Sequence, residues 1–236
     1  MQDFSATIAC TDDCESILEY VFGLLKAEGA NWFTYNFTPI FESHTSPQSF
    51  IWARDCPIEY QRLYVGEQYR RRDPIPRLTF EHGPVLTWTQ AKRLGASDRD
   101  AQWFFGVLKE MGVTNWLSVA LFGPRNRDGY AAVQFSDDPD QFDPSRLSEI
   151  QSLLSTAHLQ ICKIMDEGKP TVSLSERERE VLRWMGHGKS SSDIAAILDI
   201  SPETVRTYVR RIYDKLDTND RVTATVRALK LGLVEL

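Results

Sequence analysis

SPETVRTYVRRIYDKL, residues 201–216, sets Arg206, Arg210, Arg211 and Lys215 against only Glu203 and Asp214, in a chain that is otherwise acidic. At about 100° per residue, Val205, Val209, Ile212 and Leu216 collect on one face of a helix. Arg206, Thr207, Arg210, Arg211 and Glu203 fill the opposite face. The first face is suited to burial and the second presents guanidinium groups outward. An isolated basic helix is more often a solvated surface than a binding element, so the flanking sequence has to decide its use.

Upstream, LSEREREVLRWM begins with Leu174, a Ser175 cap and Glu178 three residues later, which is the capping-box spacing. Val181, Leu182 and Met185 give that helix a buried stripe, and Gly186 and Gly188 end it. Ser190 to Ser192 can cap a second helix, SDIAAILDI, with Ile194, Ala195 and Leu198 facing inward. A short turn over 199–201 leads to Pro202 at a first-turn position of the basic helix. A last helix, DRVTATVRALKLG, is expected to close the unit through Val222, Val226 and Leu229. The basic helix is then the second of two joined by a tight turn, the layout of a helix-turn-helix whose second helix enters the major groove.

The run LSEREREVLRWMGHGKSSSDIAAILDISPETVRTYVRRIYDKL resembles the DNA-binding domain of LuxR/FixJ-type transcription regulators, over the whole of 174–236. The resemblance implies a recognition helix from Pro202 to Leu216, with Glu178, Leu182 and Gly188 at characteristic positions. Leu182 reads as core, and Gly188 as a turn residue. Arg pairs bidentately with guanine, so Arg206 and Arg210, one turn apart, are the expected base-reading side chains. Thr204 and Thr207 can reach phosphate or a thymine methyl. Lys189, Arg211 and Lys215 are expected to neutralise phosphates, which sets register and affinity rather than sequence. For Arg211 a surface pair with Asp214 is the alternative.

With 236 residues, the chain is long for one domain and comfortable for two. It is 42% hydrophobic and 25% charged, so it can bury a core. From residue 174 onward there are 11 Lys/Arg and 10 Asp/Glu; the remainder holds 16 of the 27 basic and 23 of the 33 acidic residues. The C-terminal cations therefore matter through placement rather than through net charge. No apolar run approaches the roughly 20 residues that span a bilayer, and MQDFSATIAC lacks the pattern of a secretory leader. A cytoplasmic protein without membrane contact is expected. Cys10, Cys14, Cys56 and Cys162 form no CxxC pair, and the histidines are scattered, so reduced thiols and no cofactor or metal are expected.

Residues 166–173, DEGKPTVS, have a linker composition and separate 174–236 from a first domain over 1–165. In that domain 12–28 is an amphipathic helix, and ANWFTYNF (30–37) and FIWA (50–53) read as strands. PIEYQRLYVGEQYRRR (57–72) is helical. WLSVALF (116–122) and YAAVQF (130–135) flank a GPRNRDG turn, and a long helix covers 145–165. The expected class is α+β: an α/β/α sandwich around an antiparallel sheet, followed by an all-α four-helix helix-turn-helix domain. A phosphorylated receiver domain is set aside, because neither its early acidic pair nor its βα alternation is present.

Tyr60-x3-Tyr64-x8-Asp73-Pro74-x13-Trp88 resembles the autoinducer-binding domain of LuxR-type quorum-sensing regulators, which bind N-acyl homoserine lactones. The resemblance implies that Tyr64 donates to the acyl carbonyl, Asp73 accepts from the ligand amide N–H, and Trp88 lies against the lactone. Ile75, Phe104, Leu108 and Val113 match apolar lining positions. The sequence departs from the family at four places: Tyr60 replaces a tryptophan, Trp116 a small glycine, Cys56 a frequent tyrosine, and Gln134 the usual Ser or Thr. Trp116 has to fill part of an acyl cavity or rearrange it. From the residues alone, Asp73-Pro74 is also a helix N-cap followed by proline, and Tyr64 and Trp88 are also ordinary core aromatics.

The functional expectation is a ligand-responsive, promoter-binding regulator sensing an acyl homoserine lactone with a short, branched or aromatic acyl group. A non-lactone signal, or control by a protein partner with the pocket filled by Trp116, are the alternatives. An enzyme using Asp73 and a tyrosine lacks a nucleophile, metal or phosphate loop. Leu147, Ile150, Leu154, Ala157, Ile161 and Met165 recur at spacings of three and four, a seam suited to a homodimer or to packing on the domain's own sheet.

Overall fold

Strand alternation decides which side of the N-terminal sheet carries a site. A computed structural model of the chain describes residues 4–37, 50–65, 69, 72–124, 127–166 and 172–234. It divides into two compact units, Met1–Glu167 and Gly168–Leu236. Of the segment 166–173 read as a linker, and of the helix expected over 57–72, residues 167–171, 66–68, 70 and 71 lie outside the described residues.

The first unit runs α1 (Phe4–Ala9), α2 (Cys14–Ala27), β1 (Ala30–Phe37), β2 (Phe50–Arg54), α3 (Ile58–Val65), α4 (Ile75–His82) and β3 (Val85–Thr87). It continues with α5 (Trp88–Leu94), α6 (Arg99–Glu110), β4 (Trp116–Leu121), β5 (Gly129–Phe135) and α7 (Pro144–Asp166). The strands form an antiparallel sheet in the order β2-β1-β5-β4-β3. Both faces are covered, which is why β4 and β5 are buried along their whole length.

On one face Phe33, Tyr35 and Phe37 of β1, Leu117, Val119 and Leu121 of β4, and Ala131, Val133 and Phe135 of β5 join the apolar sides of α1, α2 and α7 in one core. Ile150, Leu154, Ala157 and Ile161 of the α7 seam are buried there, so the domain's own sheet uses the stripe. α7 is also fixed by polar contacts. His158 Nε2 donates to the Arg127 carbonyl at 2.8 Å, which makes Nδ1 the acceptor for the Tyr35 hydroxyl at 2.7 Å. Burial lowers the His158 pKa to about 4, so the ring is neutral. Gly129 makes the close approach possible: a Cβ there would sit 2.7 Å from the His158 ring.

The second unit has α8 (Glu176–Gly186), α9 (Ser191–Leu198), α10 (Pro202–Leu216) and α11 (Arg221–Lys230). Ser175 and Ser190 close capping boxes with Glu178 and Asp193, and Ser201 and Asp220 cap the next two helices. Asp199, at φ 52°, ends α9 in the left-handed region and turns the chain into α10. Val181, Leu182, Ile194, Val205, Ile212 and Leu216 meet in the centre. The expected face of α11 is corrected. Ala224 and Ala228 are the fully buried residues, whereas Val222 and Val226 are 72% and 44% exposed. Leu229 packs partly buried against the core as expected, while alanines take the inward positions expected for the two valines.

Candidate functional site

The opposite sheet face is built from three cross-strand rows. Trp32, Gln134 and Trp116 form the first, Thr34, Ala132 and Ser118 the second, and Asn36, Tyr130 and Ala120 the third. Thr34, Asn36, Ser118 and Gln134 are buried polar residues on a face otherwise lined with aromatics. Buried polar groups require partners, so this composition suits a face that meets more than hydrocarbon.

α3 lies over the β2-β1-β5 end of that face. Tyr60 and Tyr64, one turn apart, stack with ring centroids 5.4 Å apart, and Tyr60 packs on Trp32 at 5.5 Å. Between helix and sheet is a cavity of about 320 Å³ lined by Thr34, Asn36, Ile51, Ala53, Cys56, Tyr60, Gln61, Tyr64 and Tyr130. Ligand sites commonly measure roughly 300–1,000 Å³, so this one is at the small end.

Asp73 sits beside it. One carboxylate oxygen accepts from Ile75 N–H at 2.9 Å, the capping contact at the start of α4. The other accepts from the Tyr64 hydroxyl at 2.7 Å. The two oxygens of this one side chain thus join the start of α4 to Tyr64. Burial raises the Asp73 pKa to about 7, against the opposing pull of the bonds from Tyr64 and Ile75. Burial, followed by the Asp73 charge, pushes Tyr60, Tyr64 and Tyr130 well above the ordinary phenol range. They are neutral donors. The group is thus one carboxyl among neutral hydroxyls at the edge of the cavity, offering hydrogen-bond donors and an acceptor to a polar ligand.

The remaining expected residues lie in the core next to this cavity. Ile75, Phe104, Leu108, Val113 and Trp116 are buried in one cluster with Tyr69, and Trp88 packs against it. Trp88 meets Trp116 edge to face at 5.8 Å and Phe105 at 5.3 Å. Trp116 is 2% exposed and does not line the cavity; its indole occupies space within the cluster. The indole Nε1 of Trp116, Oε1 of Gln134 and the hydroxyl of Tyr69 are buried without a hydrogen-bond partner among the described residues. Sequence reading missed Thr34, Asn36, Gln61, Tyr69 and Tyr130. The period-two placement of polar Thr34 and Asn36 between aromatics in β1 was the available signal.

In the second unit α10 carries Arg206, Arg210 and Arg211 on its exposed face. Arg206 pairs with Glu203 at 2.6 Å, but both side chains are well exposed, and such a pair in water contributes little. Neither Arg210 nor Arg211 makes a side-chain bond to the described residues, so the Arg211–Asp214 alternative is not formed. Thr207 donates back to the Glu203 carbonyl at 3.0 Å, and Thr204 bonds the Ser201 cap at 2.8 Å. Lys189 is exposed in the loop before α9. Lys215 is placed differently from the other cations: its ammonium donates to Glu178 at 2.7 Å, and that carboxylate side chain is only 4% exposed. Burying Glu178 without a cation would be costly, so Lys215, itself 41% exposed, ties the end of α10 to that carboxylate.

Comparison with known families assigns both units. Residues 13–161 match the family described as autoinducer binding domain, and residues 172–228 match bacterial regulatory proteins of the luxR family. The chain belongs to the LuxR-type quorum-sensing transcription regulators. Among LuxR-type relatives, the quorum sensing-dependent regulator RpaR of Rhodopseudomonas palustris is 28% identical over 190 residues, covering 78% of this chain and 75% of its own. The transcriptional activator VanR of Vibrio anguillarum is 24% identical over 231 residues, covering 96% of this chain and 93% of its own. The crystal structure of Escherichia coli SdiA has the same fold, with a TM-score of 0.75 at 20% identity over 97% of this chain and 95% of that one. SdiA in complex with octanoyl-rac-glycerol gives a TM-score of 0.76 at 19% identity, over 98% and 93%. The LuxR-type chain described here therefore has an autoinducer-binding domain followed by a DNA-binding helix-turn-helix domain.

Proposed function

We propose that this regulator holds the amide of an N-acyl homoserine lactone, or of a related acylated signal, between Tyr64 and Asp73, and reads promoter DNA as a homodimer through α10. It acts in the cytoplasm, without catalysis. The observation that carries the reading is the 2.7 Å bond from the Tyr64 hydroxyl to Asp73 beside a largely apolar hollow. A ligand amide replaces that single bond by two: its carbonyl accepts from Tyr64 and its N–H donates to Asp73. A cavity of about 320 Å³ favours a short or compact acyl group. On α10, Arg206 and Arg210 contact bases, while Arg211 and Lys215, with Lys189 from the loop before α9, contact phosphates. In a dimer, two such helices span half-sites about one DNA turn apart.

Ligand binding stabilises the native first domain by mass action. Titrating folded full-length protein with lactones of graded, branched and aromatic acyl groups tests the reading. Heat of binding with a compact lactone supports it, and no heat with any lactone overturns the lactone assignment. A second reading, an acylated ligand that is not a lactone, is favoured by Trp116 and Tyr60. SdiA, a protein of this fold, binds octanoyl-rac-glycerol, so the same titration includes acylglycerols.

A further inference from the structure

The stripe that starts α10 runs Glu203, Arg206, Thr207, Arg210, at i, i+3, i+4 and i+7, and its first member is an acid. A carboxylate at the front of a DNA-reading surface opposes the phosphates it approaches. Two contacts offset that cost in the free protein. Glu203 stands in the first turn, where the helix dipole favours an anion, and it accepts from Nη1 of Arg206 at 2.6 Å. The dipole accounts for an acid at this end of the helix. It does not account for the contact with Arg206.

That contact leaves one edge of the guanidinium open. The group has five N–H donors, and with Nη1 on Glu203 the parallel pair on Nε and Nη2 stays unengaged among the described residues. Two parallel donors are what the O6 and N7 acceptors of guanine require. In water the ion pair is weak, because both side chains are exposed. Against DNA, where water is displaced, the same charges attract more strongly. Thr207 donates to the Glu203 carbonyl at 3.0 Å, so the acid and the stripe beside it are tied together at both ends of the residue. Arg210 and Arg211, also exposed on this helix, have no carboxylate partner among the described residues.

We propose that Glu203 is a positioning residue for sequence reading: it aims the Arg206 fork at a guanine edge and keeps that charge off the phosphates. The inference rests on the reading of α10 as the DNA-contacting helix. It goes beyond that reading by giving specificity to a side chain whose charge disfavours DNA.

The test starts by selecting a preferred site from a randomised duplex library with full-length protein, with and without N-hexanoyl homoserine lactone. Fluorescence anisotropy over a salt series then compares that site with its single-base variants and with unrelated duplex. The base pair read by Arg206 is the one at which Arg206→Ala loses discrimination. Glu203→Gln should lose about fivefold or more of the discrimination at that same base pair, while its affinity for unrelated duplex rises about twofold or more. In the Arg206→Ala background, Glu203→Gln should cause no further loss of discrimination. Unchanged discrimination in Glu203→Gln, with only a lower melting temperature, leaves the acid its dipole role and overturns the inference. A loss at a different base pair that persists in the Arg206→Ala background makes Glu203 a reader in its own right and overturns it too. No preferred site, or an Arg206→Ala variant that loses no discrimination, overturns the reading of α10 itself.

Discussion

The Tyr64 hydroxyl donates to Asp73 across 2.7 Å inside the first domain, so a donor and an acceptor matched to one amide face each other beside the cavity. The second Asp73 oxygen is fixed on Ile75 N–H, which holds the carboxyl in place whether or not Tyr64 turns away.

Tyr64→Phe removes the donor and leaves Asp73 with the Ile75 contact. Acyl-amide affinity should fall by about 1–3 kcal/mol, roughly 5- to 150-fold, because a carbonyl is desolvated without a partner. Calorimetric titration of wild type and variant, with the circular dichroism spectrum unchanged, checks it.

Asp73 makes ligand-free stability depend on pH in an unusual sense. Its folded pKa, about 7, lies above the ordinary value of 3.8, so between these values the native state binds more protons than the unfolded one. Its contribution is therefore full below about 3.8, declines as pH rises towards about 7, and stays lost above it. His158, lowered from 6.5 to about 4, acts in the opposite sense over an overlapping interval. The comparison with Asp73→Asn isolates the carboxyl. Urea unfolding from pH 5 to 8 should show the wild type losing stability relative to that variant as pH rises.

Glu178 accepts from Lys215 and from Ser175 N–H, each at 2.7 Å, and ties the start of α8 to the end of α10. Burial pushes its pKa up, but these bonds outweigh burial and hold it below the ordinary carboxylate value. The contribution is present above that ordinary value and lost as pH falls through the lowered one. Glu178→Ala should destabilise the second unit by about 1–3 kcal/mol, read by denaturant unfolding. Lys215→Met should destabilise it too, by leaving the buried carboxylate without its cation. A Lys215→Met variant of unchanged stability would show that the ion pair does not hold the two helices together.

On α10, Arg206→Ala and Arg211→Ala should differ in kind. The first should weaken binding to a selected operator by about 1–3 kcal/mol while leaving non-specific duplex and signal binding intact. The second should weaken binding to all sequences alike and reduce the salt slope by about one. Fluorescence anisotropy over a salt series separates the two.

Much of this architecture is readable in the chain because periodicity and caps agree. Ser175 with Glu178, Ser190 with Asp193 and Pro202 after Ser201 bound their helices, and the aromatic runs mark β1 and β2. β3 has three residues, too few to show a period. The inward side of α11 was misread because Ala224 and Ala228, not the valines, fit the close helix contact. In the candidate site, the resemblance to the autoinducer-binding domain pointed to Tyr60, Tyr64 and Asp73. Thr34, Asn36 and Tyr130 join them only through the β1–β5 register, which links residues far apart in the chain. The Lys215–Glu178 pair was not legible in the sequence because its two residues belong to different helices.

The most direct test is to titrate the full-length protein with a compact acyl homoserine lactone at pH 7 in buffers of different ionisation enthalpy. A carboxyl with a pKa of about 7 is half protonated when empty. The charged form is the stronger acceptor for the ligand N–H, so binding should release part of a proton, and none from this site in Asp73→Asn. Binding heat that does not vary with the buffer, or proton release unchanged in Asp73→Asn, would contradict the amide-holding role of the Tyr64–Asp73 pair.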